Sequence, residues 1–346
     1  MKWSVTSQEI PLSSDPIQAA VVPEIPGLRF RLFQGEPDYP GMLAVLLSSA
    51  AADKIERADT LEDITRNYSR LSNCDPYQDM IMAEMAGELI GYGRGWWWEE
   101  IGTGHIYESV GFLAPVWRRK GIGGAMLRWL ESRLRDIAAA HPADPARFFQ
   151  ASAQQHATGT AALLESAGYQ PTRYFFEMVR PTLEDIPDYP LPAGVEVRPA
   201  LPELYRAIWA SVDEASQDEW GYSPLTEEDY QRWVAHPRFQ PELWQIAWDQ
   251  ADGRVVGHVL TFIDQVENEK FGRKRGYTEG IGVDRAWRRR GLARALIARS
   301  LQAQRAAGMR ESTLAADSDS TSGVTRLYES CGFQVVQRDA IYRKPF

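Results

Sequence analysis

The pattern of apolar positions is clearest near the C-terminal end of the chain. Residues 292–307 place apolar side chains on one face of a predicted helix. The members of that face are Leu292, Leu296, Ile297 and Leu301. Residues 277–283 predict a strand with an apolar end, and a basic turn with three consecutive arginines follows it. The order strand, basic turn, helix therefore organises this part of the chain.

Predicted strands and helices alternate along both halves of the chain. In the first half the predicted strands are 28–33, 80–85, 88–98, 106–113, 147–152 and 174–179, and the predicted helices are 39–70, 122–140 and 160–166. In the second half the predicted strands are 195–198, 243–248, 255–264, 277–283 and 312–316, with a terminal strand or hairpin over 334–343. The predicted helices there are 202–214, 226–234, 292–307 and 323–330. Thr226 is the predicted N-cap of the second of these helices, with Asp229 three residues later.

Three pairs of segments show that the chain contains an internal repeat. The matching pairs are 28–31 with 195–198, 117–123 with 287–293, and 158–170 with 322–334. Their offsets of 167, 170 and 164 residues are nearly equal, so the chain contains two copies of one domain. We predict an N-terminal extension over 1–26, a first domain over 27–181, a linker over 182–193 and a second domain over 194–346. The linker prediction rests on the prolines and acidic residues between the copies.

The basic turn has the chemistry that an anionic ligand needs. A helix N-terminus offers unpaired N–H groups and the positive end of the helix dipole. Gly291 and the small Ala293 allow the backbone to approach the ligand closely. The arginines add charge and donors that match phosphate oxygens.

At these residues the chain resembles the GCN5-related N-acetyltransferase (GNAT) family. Arg288-x-x-Gly291-x-Ala293 is similar to the loop that binds the acyl-CoA pyrophosphate in that family. Leu327-Tyr328-Glu329-x-x-Gly332-Phe333 is similar to its later helix and turn. The resemblance implies an α/β fold with two tandem acyl-CoA N-acyltransferase domains, each a mixed, mostly antiparallel sheet flanked by helices. The tandem arrangement is similar to that of mycothiol synthases.

The resemblance also implies acetyl-CoA as co-substrate and a set of residues that bind it. In the second copy these are Ile281, Gly282, Val283, Arg288, Arg289, Arg290, Gly291, Leu292, Ala293, Arg294 and Ser320. In the first copy they are Arg118, Arg119, Lys120, Gly121, Ile122, Gly123 and Gly124. The backbone amides of 281–283 are expected to polarise the thioester carbonyl.

Two residues of the second copy are predicted to be catalytic. Glu279 lies four residues before Val283, so on an extended strand both side chains point to one face, and Glu279 is the candidate base. Tyr328 is the candidate acid for the CoA thiolate, a role that the resemblance implies. The first copy has Ser109 and Leu164 at the matching positions, so it is expected to be degenerate in catalysis.

An acidic loop of the second copy is the candidate acceptor site. Asp218, Glu219, Trp220 and Tyr222 combine carboxylates with aromatic rings, which together can hold a cationic amine. A solvated acidic loop is an equally good interpretation.

Composition limits the function further. The net charge of −9 disfavours nucleic acid as a partner. The cysteines and histidines have no metal-binding spacing, and no apolar run is long enough to span a membrane. We therefore expect a cytoplasmic monomer or homodimer without a metal.

The sequence thus predicts an N-acetyltransferase that moves an acetyl group from acetyl-CoA to a primary amine of a small molecule by direct attack. Two alternatives remain. One is an aminoglycoside, polyamine or mycothiol-type acetyltransferase, and the other is a non-catalytic acyl-CoA-binding or sensing protein.

Overall fold

The computed structural model describes residues 23–142, 146–318 and 323–346. The chain divides into two compact units. The first comprises residues 1–97 and 107–143, and the second comprises residues 98–106 and 144–346. No helix among the described residues is both long and apolar enough to cross a membrane.

The first unit is a sheet with helices packed against it. Its strands are β1 (Leu28–Leu32), β2 (Met80–Met85), β3 (Glu88–Glu100) and β4 (Gly104–Leu113), in that order across the sheet, and β3 and β4 extend past the unit's boundary. Its helices are α1 (Tyr39–Ala52), α2 (Leu61–Ser69), α3 (Pro76–Asp79) and α4 (Ile122–Ala138). The apolar face predicted for α4 packs with the strands, because Ile122, Met126 and Leu130 are buried in one cluster with Phe30 and Ile81.

The second unit contains two sheets. Its strands are β5 (Arg147–Ala153), β6 (Gln170–Arg180), β7 (Val195–Arg198), β8 (Gln245–Asp249), β9 (Val255–Val259), β10 (Arg275–Tyr277), β11 (Gly282–Val283), β12 (Glu311–Asp317) and β13 (Gln334–Pro345). Its helices are α5 (Thr158–Ser166), α6 (Tyr205–Ser216), α7 (Glu227–Val234), α8 (Gln265–Phe271), α9 (Leu292–Ala306) and α10 (Val324–Ser330). One sheet has the order β5-β13-β6-β12-β10 and the other has the order β11-β9-β8-β7. Only β10 and β12 pair in parallel among the registers given for this unit, which confirms a mixed, mostly antiparallel sheet.

The last strands of the two sequence repeats are interleaved in the larger sheet. β13 belongs to the second repeat, yet it pairs with β5 and β6 of the first. β6 in turn pairs with β12 of the second repeat. A strand from each repeat thus completes the sheet of the other.

Two predicted elements are corrected by the structure. The helix predicted over 39–70 is two helices, because Lys54 has a φ of 56° and ends the first, and Thr60 caps the second through a reciprocal pair of hydrogen bonds with Asp63. The capping box predicted at Thr226 and Asp229 is confirmed.

The strand predicted over 277–283 is also wrong as a single strand. Tyr277 pairs with Thr313 in one sheet, whereas Gly282 pairs with His258 in the other. Gly280 lies between them with a φ of 53°, which interrupts extended backbone. Glu279 and Val283 therefore do not lie on one continuous strand, and alternation along a strand does not place their side chains on one face.

The interleaving of the strands predicts which fragments of the chain unfold cooperatively. A fragment of residues 194–346 should not unfold cooperatively, because β13 would lose both neighbours and β12 its antiparallel partner. A fragment of residues 146–346 keeps every strand of the second unit from β5 to β13 and should give one sigmoidal thermal transition by circular dichroism. A soluble, cooperatively unfolding monomer of 194–346 would contradict the prediction.

Candidate functional site

The basic turn of the second copy has a backbone shape that exposes donors. The Asp284 side chain accepts a hydrogen bond from the Ala286 N–H at 2.8 Å and starts the turn. Arg289 has a φ of 61° and Gly291 a φ of 85°, and α9 begins directly afterwards. Space around Gly291 is open, since an added Cβ atom would meet nothing within 4 Å. A ligand can therefore reach the backbone of the turn.

The first turn of α9 has unpaired N–H groups. No side chain caps the helix, and the first intrahelical bond runs from the Ala295 N–H to the Gly291 carbonyl at 3.1 Å. The N–H groups of Leu292, Ala293 and Arg294 consequently find no acceptor among the described residues. Together with the positive end of the helix dipole, they form a site suited to an anion.

The turn in the first copy has the same shape. Arg119 has a φ of 60°, Gly121 a φ of 81°, and α4 begins at Ile122 without a side-chain cap. Gly123 and Gly124 lie in the first turn of that helix. The third basic residue of each turn packs over a tryptophan: Lys120 Nζ is 4.4 Å from the Trp117 ring centre, and Arg290 Cζ is 4.8 Å from that of Trp287.

The first arginine of each turn is held by a carboxylate. Arg288 donates from Nε to the Val283 carbonyl at 3.0 Å and from Nη1 to Asp218 at 2.6 Å. In the first copy Arg118 donates to the Leu113 carbonyl at 3.3 Å and to both oxygens of Asp53 at 2.6 and 2.9 Å. We call this arrangement the arginine clip.

Asp218 therefore lies against the basic turn. Its carboxylate also accepts from Arg285 at 3.0 and 2.5 Å. Hydrogen bonds from Arg285 and then Arg288 lower the pKa of Asp218 to about 2. The exposed side chains of Arg289 and Arg294, in contrast, make no hydrogen bond or ion pair with any described residue.

The backbone of 281–283 lies over a buried histidine that sequence reasoning missed. A Cβ atom at Gly282 would lie 2.3 Å from the imidazole of His258, so only glycine fits there. His258 is 2% exposed, and its Nδ1 lies 3.1 Å from the Ser211 hydroxyl of α6. The only sequence signal was the glycine itself, between two apolar residues.

Tyr328 is buried at the edge of the main core of the second unit. Its side chain is 7% exposed, and its hydroxyl makes no hydrogen bond with a described residue. Burial raises the pKa of Tyr328, and the negative charge of Glu219 raises it further. Tyr328 and Glu219 are thus close enough to interact by charge.

Glu279 lies in a different electrostatic setting. Crowding by protein atoms raises the pKa of its carboxyl, although the side chain remains exposed to solvent, and the charge of Arg238 partly opposes that rise. Its backbone carbonyl accepts from the Leu260 N–H at 2.8 Å.

The acidic loop is fixed by its aromatic residues. The ring of Trp220 lies under Arg343, whose Cζ is 4.3 Å from the ring centre. Tyr222 donates its hydroxyl to Asp213 at 3.1 Å. Arg343 is itself paired with Glu100, a carboxylate that is 2% exposed.

Two further positions from the sequence analysis are the predicted cofactor residue Ser320 and Leu164, the counterpart of Tyr328 in the first copy. Ser320 lies outside the described residues. Leu164, which stands where the second copy has Tyr328, is 2% exposed on α5 and is a core side chain.

Comparison with known proteins agrees with this arrangement. The sequence profile of the acetyltransferase (GNAT) family matches residues 46–163 and 202–333. The chain is 29% identical to a protein of Geodermatophilus obscurus named mycothiol acetyltransferase, over 88% of this chain and 93% of that protein. It is 31% identical to a protein of the same name from Thermobifida fusca, over 70% of this chain and 76% of that protein.

A solved structure has the same fold. The GCN5-related N-acetyltransferase of Sphaerobacter thermophilus superposes with a TM-score of 0.72 at 26% identity, over 93% of this chain and 96% of that one. The duplicated strand–turn–helix with its uncapped glycine start, together with the family match and these relatives, identifies the chain as an acyltransferase. The chain belongs to the acetyltransferase (GNAT) family and carries two copies of its domain.

The burial of His258 predicts how the free energy of unfolding changes at acid pH. Burial lowers its pKa from 6.5 to about 4, so the unfolded chain binds a proton at pH values where the folded chain does not. The stability that this pKa shift contributes is fully present above pH 6.5. It is lost as the pH falls towards 4, which lowers the free energy of unfolding by roughly 3 kcal/mol. Urea titrations should show a smaller acid loss for His258→Gln than for the parent.

The exposed His156 provides the control, since His156→Gln should keep the parental pH dependence. Equal acid losses in the parent and in His258→Gln would refute the assignment.

Proposed function

We propose that the second copy transfers an acetyl group from acetyl-CoA to a primary amine of a small molecule by direct attack. The observation that carries this proposal is the uncapped start of α9, with its unpaired N–H groups beside the unpaired Arg289 and Arg294. An acyl-CoA pyrophosphate has the charge and the oxygen acceptors that these donors need.

The division of roles within the turn follows from its contacts. Backbone N–H groups with Arg289 and Arg294 would bind the pyrophosphate. Arg288 is paired with Asp218, so we assign it to holding the turn in shape. Arg290 stacks on Trp287 and reinforces the positive field.

The chemical step uses groups beyond the turn. Backbone N–H groups of 281–283 would stabilise the negative charge that develops on the thioester oxygen. A carboxylate takes a proton from the acceptor's ammonium, the role predicted for Glu279, and Tyr328 protonates the leaving thiolate. A tyrosine hydroxyl is protonated at neutral pH, and burial, which raises the pKa of Tyr328, favours that form further, so a proton is present when the thiolate forms.

The relatives indicate the kind of acceptor. Two proteins named mycothiol acetyltransferase align with most of this chain, including both copies, which favours a mycothiol-type acceptor over an aminoglycoside or a polyamine. The first copy keeps its turn but has Leu164 in place of the acid, and we assign it a structural role.

The cofactor site is tested by a charge reversal. Gly291→Glu should raise the Kd for acetyl-CoA at least tenfold, because the new carboxylate would stand where the pyrophosphate binds. Isothermal titration calorimetry measures the change. Gly308→Glu is the matched control, since Gly308 has a φ of 86° and open space at the other end of α9.

Both substitutions introduce the same strained backbone and the same charge, so only their position differs. Unchanged affinity in Gly291→Glu, or an equal loss in both variants, would remove the basis for the site.

The acid is tested by removing one oxygen atom. Tyr328→Phe should lower kcat by roughly 10²-fold and leave the Kd for acetyl-CoA unchanged, because the hydroxyl acts only on the leaving thiolate. Thiol release measures kcat. Tyr342→Phe removes a hydroxyl of similar burial on β13 and should retain most of the activity.

Full activity in Tyr328→Phe would exclude this tyrosine as the acid.

A further inference from the structure

The acidic loop presents one carboxylate between two anchored neighbours. Asp218 is bound by Arg285 and Arg288 on the side of the cofactor turn. Trp220 is fixed on the other side under Arg343. Glu219 lies between them, and its carboxylate makes no hydrogen bond or ion pair with a described residue.

Glu219 shares its surroundings with the candidate acid. Its charge acts on Tyr328, whose side chain is 7% exposed and whose hydroxyl also makes no hydrogen bond with a described residue. Two polar groups without partners among the described residues can each bind a polar group of a ligand. The thioester sulfur must come close to Tyr328, so an attacking amine there comes close to Glu219 as well.

The remaining charges around Glu219 come from two strands and its own loop. Crowding by protein atoms raises the pKa of Glu219, although its side chain remains exposed to solvent, and the charge of Asp317 on β12 raises that pKa further. Asp317 is itself bound by Arg173 of β6 at 2.9 and 2.5 Å. Asp218 is neutralised by its arginines. Glu219 is thus a carboxylate with an elevated proton affinity and no cation bound to it, which is what a base for an ammonium requires.

Glu279 lacks this association with Tyr328. The charge that acts on Glu279 is that of Arg238, which pairs with Asp264 at 3.2 Å. Its strand is also interrupted at Gly280, which removes the sequence argument for its direction.

We propose that Glu219, rather than Glu279, is the general base of the second copy; this assignment rests on the proposed acetyl transfer. Glu219 takes one proton from the acceptor's ammonium and passes it to solvent. The amine nitrogen forms a bond to the acetyl carbon, and the carbon–sulfur bond breaks. The thiolate takes the proton of Tyr328, which the second amine proton replaces. The products are an N-acetyl amine, CoA with a free thiol and one proton.

The test compares three carboxamide variants of the full chain, with acetyl-CoA and an amine that the parent acetylates. Glu219→Gln should lower kcat by roughly 10²-fold. It should keep the Kd for acetyl-CoA and flatten the acid limb of the pH profile of kcat/KM, since that limb reports the base. Glu279→Gln should lower kcat less and keep the acid limb. Glu269→Gln, at an exposed carboxylate on α8, should match the parent.

Other outcomes separate the possible failures. Loss of the acid limb in Glu279→Gln with its retention in Glu219→Gln would overturn the assignment. A higher KM for the amine in Glu219→Gln with unchanged kcat and pH profile would also overturn it, and would make Glu219 a binding residue. If the parent releases no thiol with any amine, the acetyl transfer itself fails, and the assignment of a base fails with it.

Discussion

The pairing of β13 between β5 and β6 is the constraint on which the second unit depends. Both edges of β13 and both edges of β6 pair with strands of the other repeat. The same interleaving brings Arg173 and Phe175 of β6 next to Asp317 of β12. The side chains around Asp317 therefore come partly from a segment that the sequence assigns to the first copy.

Duplication also shows which features of the turn serve structure and which serve binding. The left-handed arginine, the glycine start of the helix and the arginine clip recur in both copies. We expect the features that recur in both copies to be the ones that form the turn itself. The unpaired Arg294, in contrast, has Gly124 as its counterpart in the first copy. The second copy thus has one more cation for its ligand.

The sequence predicted the features that depend on short stretches of neighbouring residues. The repeat, the two glycine turns and the capping box at Thr226 are encoded within a few residues, and each is confirmed. The interleaved strands could not be predicted, because strand pairing between distant segments leaves no trace in the periodicity of either strand. The split of 277–283 between two sheets had only Gly280 as a signal. The pairing of Asp218 with Arg288 joins residues 70 positions apart, so an acidic loop and a basic turn looked independent.

The arginine clip differs between the two copies in the carboxylate that completes it. In the first copy its carboxylate is Asp53, the C-cap residue directly after α1, and the Ser49 hydroxyl accepts from Arg118 at 2.7 Å as well. In the second copy the carboxylate is Asp218, which belongs to the acidic loop and is exposed together with both of its arginines. An exposed ion pair contributes little to stability. Its consequence is instead geometric, because it joins the turn that would bind the pyrophosphate to the loop that presents Glu219.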